Sequence, residues 1–188
     1  SISVSSLLHE FIFICSKLGV KDMESWARRE MNGYERAEKA IPKYRYIQGP
    51  CKFYNPFRGW CPVIFKTKEE ERIFTVRPLS SSISEIEEWV HTPENKQMTM
   101  EFPAETKSKL AEMNYGMFPA TLVDKSQLYK ILDVVRQKIL DFALQLENSG
   151  ILGSEDYMFS NDEKKKAQGM ITINQVHGSQ IIQQGANN

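Results

Sequence analysis

The sequence predicts an α+β fold in which an N-terminal helical hairpin and one long C-terminal helix pack on a small, mostly antiparallel sheet, with a β-like C-terminal tail. Apolar residues recur with helical spacing near the N-terminus and again between residues 124 and 148. The middle third is rich in β-branched and aromatic residues that lie between glycines, prolines and charged runs, as is typical of strands. Helices that pack on such a sheet form an α+β architecture.

Two helices are predicted at the N-terminus. The first has apolar residues at positions i, i+4, i+7 and i+11, serines at Ser3–Ser6 for its N-cap, and Gly19 to end it. The second follows at once, with Asp22 as its predicted N-cap and Gly33 as its end. Because the connection is so short, the helices are expected to pack as an antiparallel hairpin. The apolar positions of the first helix are Leu7, Phe11, Ile14 and Leu18.

The middle of the chain predicts extended segments and one short helix. Residues 83–90 have apolar side chains spaced for one face of a helix, and Ser82 or Ser84 would cap it. Residues 50–60 are predicted to form a long loop, because turn-forming residues are frequent there. The extended segments are residues 44–49, 61–65, 72–77 and 98–102.

The strongest pattern in the sequence predicts a helix over residues 124–148. Its apolar positions keep helical spacing for about six turns, Asp124 or Ser126 would cap it, and Gly150 would end it. Further apolar residues widen this face, so the helix is expected to be central to the core. The main positions are Leu128, Ile131, Leu132, Val135, Ile139, Phe142 and Leu146, and the widening positions are Val134, Leu140, Ala143 and Leu144.

Composition divides the chain into three predicted segments. Residues 1–155 form a globular domain, and residues 156–168 form a charged linker in which the lysines at 164–166 are a solvated hinge. Residues 169–188 form a β-prone tail, rich in Gly, Gln and Asn, that serves either as an assembly element or as a linker.

The tail predicts a homo-oligomer. Residues 170–176 alternate like a strand, and a lone pair of such short strands is marginal in water, so the tail needs another surface to pair with. The alternative is a linker to an effector domain or protein. The side chains expected to make the contacts between copies are Ile171, Ile173, Val176, Ile181 and Ile182.

Charge and cysteine usage exclude several classes of site. Lys plus Arg and Asp plus Glu number 24 each, so no global positive field attracts nucleic acid, and nucleic-acid binding is not expected. The cysteines Cys15, Cys51 and Cys61 lack C-x-x-C spacing and nearby histidines, so neither disulfides nor a metal site is predicted. The longest apolar run, residues 11–15, is too short to span a bilayer. A cytoplasmic protein without membrane association is therefore expected.

The sequence predicts no catalytic residues and no cofactor. It lacks a P-loop, a dinucleotide-binding glycine motif, a nucleophile elbow and an H-E-x-x-H motif, and its three histidines are isolated. The one alternative is a metal-dependent nuclease that uses Glu105-Thr106-Lys107 with Glu94, because such a site combines carboxylates with a lysine. Residues 23–123 contain no aspartate, which weighs against this alternative.

Residues 50–60 concentrate aromatic side chains and an arginine, which makes them a candidate ligand site, although a structural function is favoured because aromatic side chains mainly serve core burial and interfaces. Tyr54 or Trp60 would stack a planar ligand or nucleobase while Arg58 holds an anion, with Asn55 as a further contact. In the alternative interpretation, Asn55 and Pro56 form a structural turn, and the aromatic rings fill the edge of the sheet against the helices.

Several phrases of the sequence match one family in order along about the first 160 residues. They include Leu18-Gly19 leading to Glu24-Ser25-Trp26, Asn55-Pro56-Phe57-Arg58-Gly59-Trp60, Ser126-Gln127-Leu128 and Gly150-Ile151-Leu152-Gly153. The chain resembles the AbiTii family of bacterial abortive-infection, or anti-phage, proteins. The resemblance implies a cytosolic protein of phage defence and supplies no catalytic residues. We therefore expect a non-catalytic sensing or assembly module that controls an effector, with a metal-dependent nuclease or a nucleotide- or small-ligand-binding regulator as the alternatives.

Overall fold

The computed structural model describes residues 2–35, 41–93, 97–113, 116–154 and 157–170, and its fold class is α+β, as predicted. The helices are α1 (Val4–Leu18), α2 (Lys21–Asn32), a 3-10 turn (Lys43–Arg45), α3 (Lys68–Thr75), α4 (Ile83–His91), α5 (Ala104–Met113), α6 (Lys125–Asn148) and α7 (residues 161–170). The strands are β1 (Tyr46–Gln48), β2 (Cys51–Asn55), β3 (Gly59–Pro62), β4 (Val76–Pro78), β5 (Gln97–Glu101) and β6 (Pro119–Asp124).

The chain divides into two compact units. The described residues of the helical unit fall within Ser1–Gly33, Ser82–Ser84 and Val135–Asn188, and those of the sheet unit fall within Tyr34–Ser81 and Glu85–Val134. The predicted strand at residues 170–176 and the predicted contacts of Ile181 and Ile182 lie almost wholly outside the described residues; Met170, the one described residue among them, is helical.

The ends of the first two helices largely follow the sequence pattern. Ser3 caps α1 by accepting a hydrogen bond from the Ser6 N–H at 3.1 Å. Gly19 ends α1 with a φ of 73°, a left-handed conformation that glycine adopts with less strain than other residues. The predicted cap of α2 is wrong, because Asp22 lies inside the first turn while Val20 occupies the N-cap position without a side-chain hydrogen bond. An acidic residue in the first turn still stabilises the helix through its dipole.

An aromatic cluster joins three helices of the helical unit. The Phe11 ring on α1 meets the Trp26 ring on α2 edge to face, with centroids 5.9 Å apart. The same ring meets Phe142 on α6 at 5.3 Å. Edge-to-face contacts of this kind add to the gain from burying the rings. The predicted helical hairpin is therefore present, and it packs against the second half of α6.

Most of the apolar stripe predicted on α6 is buried, but its predicted widening is wrong. Leu140 and Leu144 are 49% and 45% exposed, and Ala143 is exposed. Leu140 follows the fully buried Val135 by five residues, which turns it about 140° around the helix and away from the buried face. The buried positions are Leu128, Ile131, Leu132, Val135, Phe142 and Leu146, whereas Ile139 and Val134 are half-buried.

Residues 161–170, most of which were predicted as part of a charged linker, form helix α7. Ser160 and Glu163 make a reciprocal cap: the Glu163 N–H donates to the Ser160 hydroxyl at 3.2 Å, and the Ser160 N–H donates to Glu163 Oε2 at 2.8 Å. Ala167 is fully buried, and the Gln168 amide donates to the Leu18 carbonyl at the end of α1 at 3.1 Å. Helix α7 is thus anchored to the helical unit at both ends.

Glu163 also holds the chain that leads into α7. Its Oε1 accepts hydrogen bonds from the main-chain N–H groups of Leu152 and Gly153 at 3.2 and 3.1 Å, just after α6 ends. The N–H of Ser160, the N–H of Gly153 and the Ser160 hydroxyl all donate to this carboxylate and lower its pKa to about 2. Hydrogen bonds to the charged form have this effect because protonation removes an acceptor.

The lowered pKa of Glu163 predicts a dependence of stability on pH. Its pKa falls from an ordinary value of 4.5 to about 2 on folding, so its contribution is complete above pH 4.5 and is lost as the pH falls toward 2. In thermal denaturation, Glu163→Gln is expected to melt below the unchanged protein at pH 7, and the difference should shrink at acid pH, where both side chains are neutral. A difference in melting temperature that stays constant from pH 7 to pH 2 would contradict this role.

The sheet unit contains two antiparallel sheets. The four-stranded sheet has the order β3-β2-β6-β5, and the two-stranded sheet pairs β1 with β4. Five of the six residues of the central strand β6 are buried. On the core side, Cys51, Val63, Phe102 and Leu110 form a buried cluster against which Phe53, Phe65 and Phe74 pack.

A glutamine side chain closes the outer edge of β1. The Gln127 Oε1 accepts a hydrogen bond from the Gln48 N–H at 2.8 Å, and its Nε2 donates to the Gln48 carbonyl at 2.6 Å. The side-chain amide thus occupies both main-chain groups as a neighbouring strand would. Asp124, as predicted, caps the start of α6 by accepting from the Ser126 N–H at 2.8 Å.

Four sequence predictions for the middle of the chain need correction. Residues 72–77 are the end of α3 and the start of β4, because Thr67 caps α3 and three glutamates in its first turn favour the helix. Residues 50–60 contain most of a β-hairpin rather than a long loop. The predicted strand at 61–65 ends at Pro62, and that at 44–49 begins with a 3-10 turn. The helix at 83–90 and the strand at 98–102 are confirmed within a residue or so.

Candidate functional site

The predicted ligand residues lie on the hairpin of β2 and β3, which we call the aromatic hairpin. Asn55 organises its turn: the Asn55 side-chain oxygen accepts hydrogen bonds from the N–H groups of Phe57 and Arg58 at 2.9 and 3.2 Å. The Asn55 carbonyl also accepts from the Arg58 N–H at 3.2 Å. Gly59 follows with a φ of 73°, which its lack of a Cβ permits. These contacts give Asn55 the turn-forming function of the alternative interpretation.

Three of the four aromatic rings of the hairpin are exposed rather than packed against helices, and only Phe53 packs against the buried core cluster. Tyr54 and Trp60 are paired across the two strands, and their rings meet edge to face at 5.6 Å. They remain 57% and 41% exposed, and Phe57 at the tip is 97% exposed. Arg58 beside it is also exposed. The structure thus brings Tyr54, Asn55, Arg58 and Trp60 together on one hairpin. Sequence reasoning did not select Phe57, although its place in a turn between Pro56 and Gly59 was a signal of exposure.

A second candidate site in the sheet unit is the cleft beside β4 and β5, which we call the β4–β5 cleft. Its volume is about 820 Å³, which falls within the roughly 300–1,000 Å³ of small-ligand pockets. The apolar part of its lining includes Ile73, Trp89, Met98, Met100 and Phe102. Sequence reasoning missed this site because its residues come from separate elements that only the fold brings together.

Arg77 crosses from β4 to β5 in this cleft. Its guanidinium donates to the main-chain carbonyls of Met100 and Glu101, each at 2.9 Å, and to the Thr121 hydroxyl at 3.3 Å. It also lies over the Phe102 ring, 4.2 Å from the centroid. These contacts make Arg77 a structural link between the two sheets rather than an anion ligand.

The residues of the nuclease alternative do not converge among the described residues. Glu105 is exposed and pairs with Lys109 at 2.9 Å, whereas Lys107 pairs with Glu101 at 2.8 Å. Glu94 lies outside the described residues. In the part of the chain that the structure describes, no group of three or more His, Cys, Asp or Glu side chains is placed to hold a metal ion.

Two of the cysteines are poor nucleophiles in this fold. Burial raises the pKa of the Cys15 thiol to about 12 and that of Cys51 to about 11. The nearby Glu24 carboxylate raises the Cys15 value further, while Arg77 opposes the increase at Cys51. Since the thiolate is the reactive form, neither thiol is activated at neutral pH.

Comparison with known proteins identifies the family. A family model described as AbiTii matches residues 1–172, and no helix among the described residues is long and apolar enough to cross a membrane. Searches of curated proteins and of solved structures find no significant match. Because the match covers 172 of 188 residues, the chain belongs to the AbiTii family, which implies a role in abortive-infection defence against phage.

Proposed function

We propose that the chain is a non-catalytic sensing and assembly module of an abortive-infection protein, and that the aromatic hairpin recognises a protein partner. The observation that carries this proposal is Phe57, which is 97% exposed at the tip of the hairpin. Burying such a ring against a partner stabilises a complex by roughly 1.5–3 kcal/mol. Aromatic and arginine side chains are also the residue types that contribute most to protein interfaces.

The main chain of the hairpin, which carries these side chains, has a fixed arrangement before any partner binds. Asn55 fixes the turn through its hydrogen bonds, and Tyr54 and Trp60 support each other across the strands. Strand β2 is paired on both sides, with β3 and with β6, and Phe53 packs against the buried core cluster. A main chain that is already ordered loses less entropy on binding, which supports a recognition surface.

A protein partner fits the hairpin better than a small ligand does. Small-ligand sites are concave and surround most of the ligand, whereas Phe57 has almost no protein around it. The edge-to-face contact of Tyr54 with Trp60 leaves no slot for a planar ligand between the two rings. The regulator that binds a nucleotide or a small ligand therefore remains the second candidate.

Assembly through the tail is the other half of the proposal. The β-branched residues at 171, 173 and 176 need another strand to pair with, and the family match ends at residue 172, before most of the tail. A homo-oligomer would place several aromatic hairpins on one particle, which increases avidity for a repetitive phage structure. The effector under its control lies either further along the natural chain or on another protein.

The hairpin proposal predicts that Phe57→Ser abolishes phage protection without loss of stability. An exposed side chain of this kind changes the free energy of unfolding by at most about 0.5 kcal/mol when replaced, so the melting temperature should be unchanged. Plaque counts on cells that carry the complete defence protein measure protection, and Ile64→Ser is the matched control, because Ile64 is 88% exposed and lies outside the hairpin. Full protection by the Phe57→Ser protein would refute the hairpin proposal.

Arg58→Ala separates the two candidate partners. If a planar anionic ligand is bound, this change should remove protection as strongly as Phe57→Ser, because an arginine is the anion contact. If a protein partner is bound, Phe57→Ser should have the larger effect. A loss of stability of 1 kcal/mol or more in Arg58→Ala, on the order of a lost structural contact, would show instead that the turn is structural.

A further inference from the structure

We infer that the outer edge of β5 receives residues 171–174 of a second copy of the chain as an added antiparallel strand, with Thr172 opposite Thr99. The inference rests on the proposed assembly through the tail and names the surface that the tail occupies. Residues 171–174 lie beyond the described residues.

The edge of β5 offers main-chain groups to a further strand. Among the described strands, β5 is the last of its sheet, and Leu122 on β6 is the residue opposite Thr99. The Leu122 N–H donates to the Pro50 carbonyl, away from β5, at 3.0 Å. In an antiparallel pair the N–H and C=O groups of successive residues alternate in direction, so those of Thr99 point outward. Thr99 also lines the β4–β5 cleft.

The side-chain pattern of β5 matches that of the tail. Gln97, Thr99 and Glu101 are exposed, whereas Met98 and Met100 are half-buried on the other face. The tail reads Ile171-Thr172-Ile173-Asn174, with the same alternation of apolar and polar residues. Opposite residues of paired strands point to the same face. Pairing Thr172 with Thr99 therefore places both isoleucines beside the methionines and both polar tail residues on the exposed face.

Two further features set the direction of the added strand. Arg77 already occupies the carbonyl of Glu101, so pairing is blocked at that end of β5. In the antiparallel register the residue opposite Glu101 is Met170, which is helical and offers no strand, and the residue opposite Gln97 is Asn174. A parallel strand would instead place Asn174 at the blocked position. The described sheets are also antiparallel throughout.

The β4–β5 cleft supplies room for the isoleucine side chains. Ile73 and Trp89 line it together with the two methionines of β5. Methionine side chains are flexible and adapt to a bound apolar group. Strand addition of this kind obtains its affinity from main-chain hydrogen bonds and its specificity from pockets for alternate side chains.

The experiment measures the mass of the full chain in solution by light scattering, next to a protein that ends at Met170 and to Thr172→Pro. The shortened protein keeps all of α7. Proline cannot donate a strand hydrogen bond, so both changes should reduce the mass to that of a single chain, 21.7 kDa for the full sequence. Asn187→Pro, at the far end of the tail, is the matched control and should leave the oligomer intact.

Disulfide cross-linking then tests the partner and the register, in a Cys61→Ser background because Cys61 is the one cysteine of the three that is not buried. A mixture of Thr99→Cys and Thr172→Cys proteins should form a disulfide-linked dimer in much higher yield than a mixture of Gln97→Cys and Thr172→Cys proteins.

If truncation reduces the mass but Thr172→Pro does not, and no disulfide-linked dimer forms, assembly through the tail stands and the β5 edge as its binding surface is overturned. If truncation leaves the mass unchanged, assembly through the tail itself fails. A disulfide that forms only within a doubly substituted chain would overturn the second copy as the occupant.

Discussion

Leu132→Asp is expected to prevent folding. Leu132 lies on the buried stripe of α6 and is 6% exposed. An aspartate there would place an unpaired carboxylate in an apolar environment, which costs several kcal/mol, roughly 3–5 by comparison with broken buried ion pairs. A domain of this size has a total stability of about 5–15 kcal/mol, so most of it would be lost. Circular dichroism should show no cooperative thermal transition.

Leu140→Asp is the control for that substitution, because it makes the same chemical change on the same helix. Leu140 is 49% exposed, so its aspartate stays hydrated and the melting temperature should change little. Periodicity alone groups Leu140 with the buried stripe. The structure shows that Leu132 is buried and that Leu140 is exposed. Equal melting temperatures for the two variants would contradict the burial of α6.

The helices α1, α2, α4 and α6 could be predicted from sequence because their signals are local. Ser3 and Gly19 mark the ends of α1, and the apolar spacing recurs along α6, whose 24 residues make more than six turns. Widening of the α6 stripe could not be predicted, since the width of a buried face depends on which elements pack against it. The sequence pattern did not predict helix α3, because Ile73, Phe74 and Thr75 favour strands. The Thr67 cap and the glutamates after it stabilise the helix instead.

The strand β6 could not be found because it is buried on both faces. Its residues, from Pro119 to Val123, are all buried and show no alternation of apolar and polar side chains. Tertiary pairing with β2 and β5 therefore determines this strand. Composition did indicate the region of the candidate site, since aromatic residues and an arginine cluster at residues 54–60. The exposure of Phe57 depends on the pairing of Tyr54 with Trp60, which the sequence did not predict.

Gly49→Ala is expected to destabilise the sheet unit strongly. Gly49 lies where the chain passes from β1 to β2, close to the Leu122 carbonyl of β6. A Cβ at this position would be 1.9 Å from the Leu122 carbonyl oxygen and 2.8 Å from its carbon. Both atoms belong to the backbone of the central strand, so no side-chain rotation relieves the overlap.

Relief of this overlap requires β2 to separate from β6, which would stretch the hydrogen bond from the Leu122 N–H to the Pro50 carbonyl, now 3.0 Å. We expect a loss of at least about 3 kcal/mol, the upper end of overpacking costs, measured from the midpoint of urea denaturation. Gly169→Ala is the matched control: apart from its chain neighbours and the backbone of α7, no atom of the described residues lies within 4 Å of its added Cβ, and alanine should stabilise helix α7 by roughly 0.5–1 kcal/mol. An unfolding free energy of Gly49→Ala equal to that of the unchanged protein would mean that Gly49 lies at a greater distance from the Leu122 carbonyl.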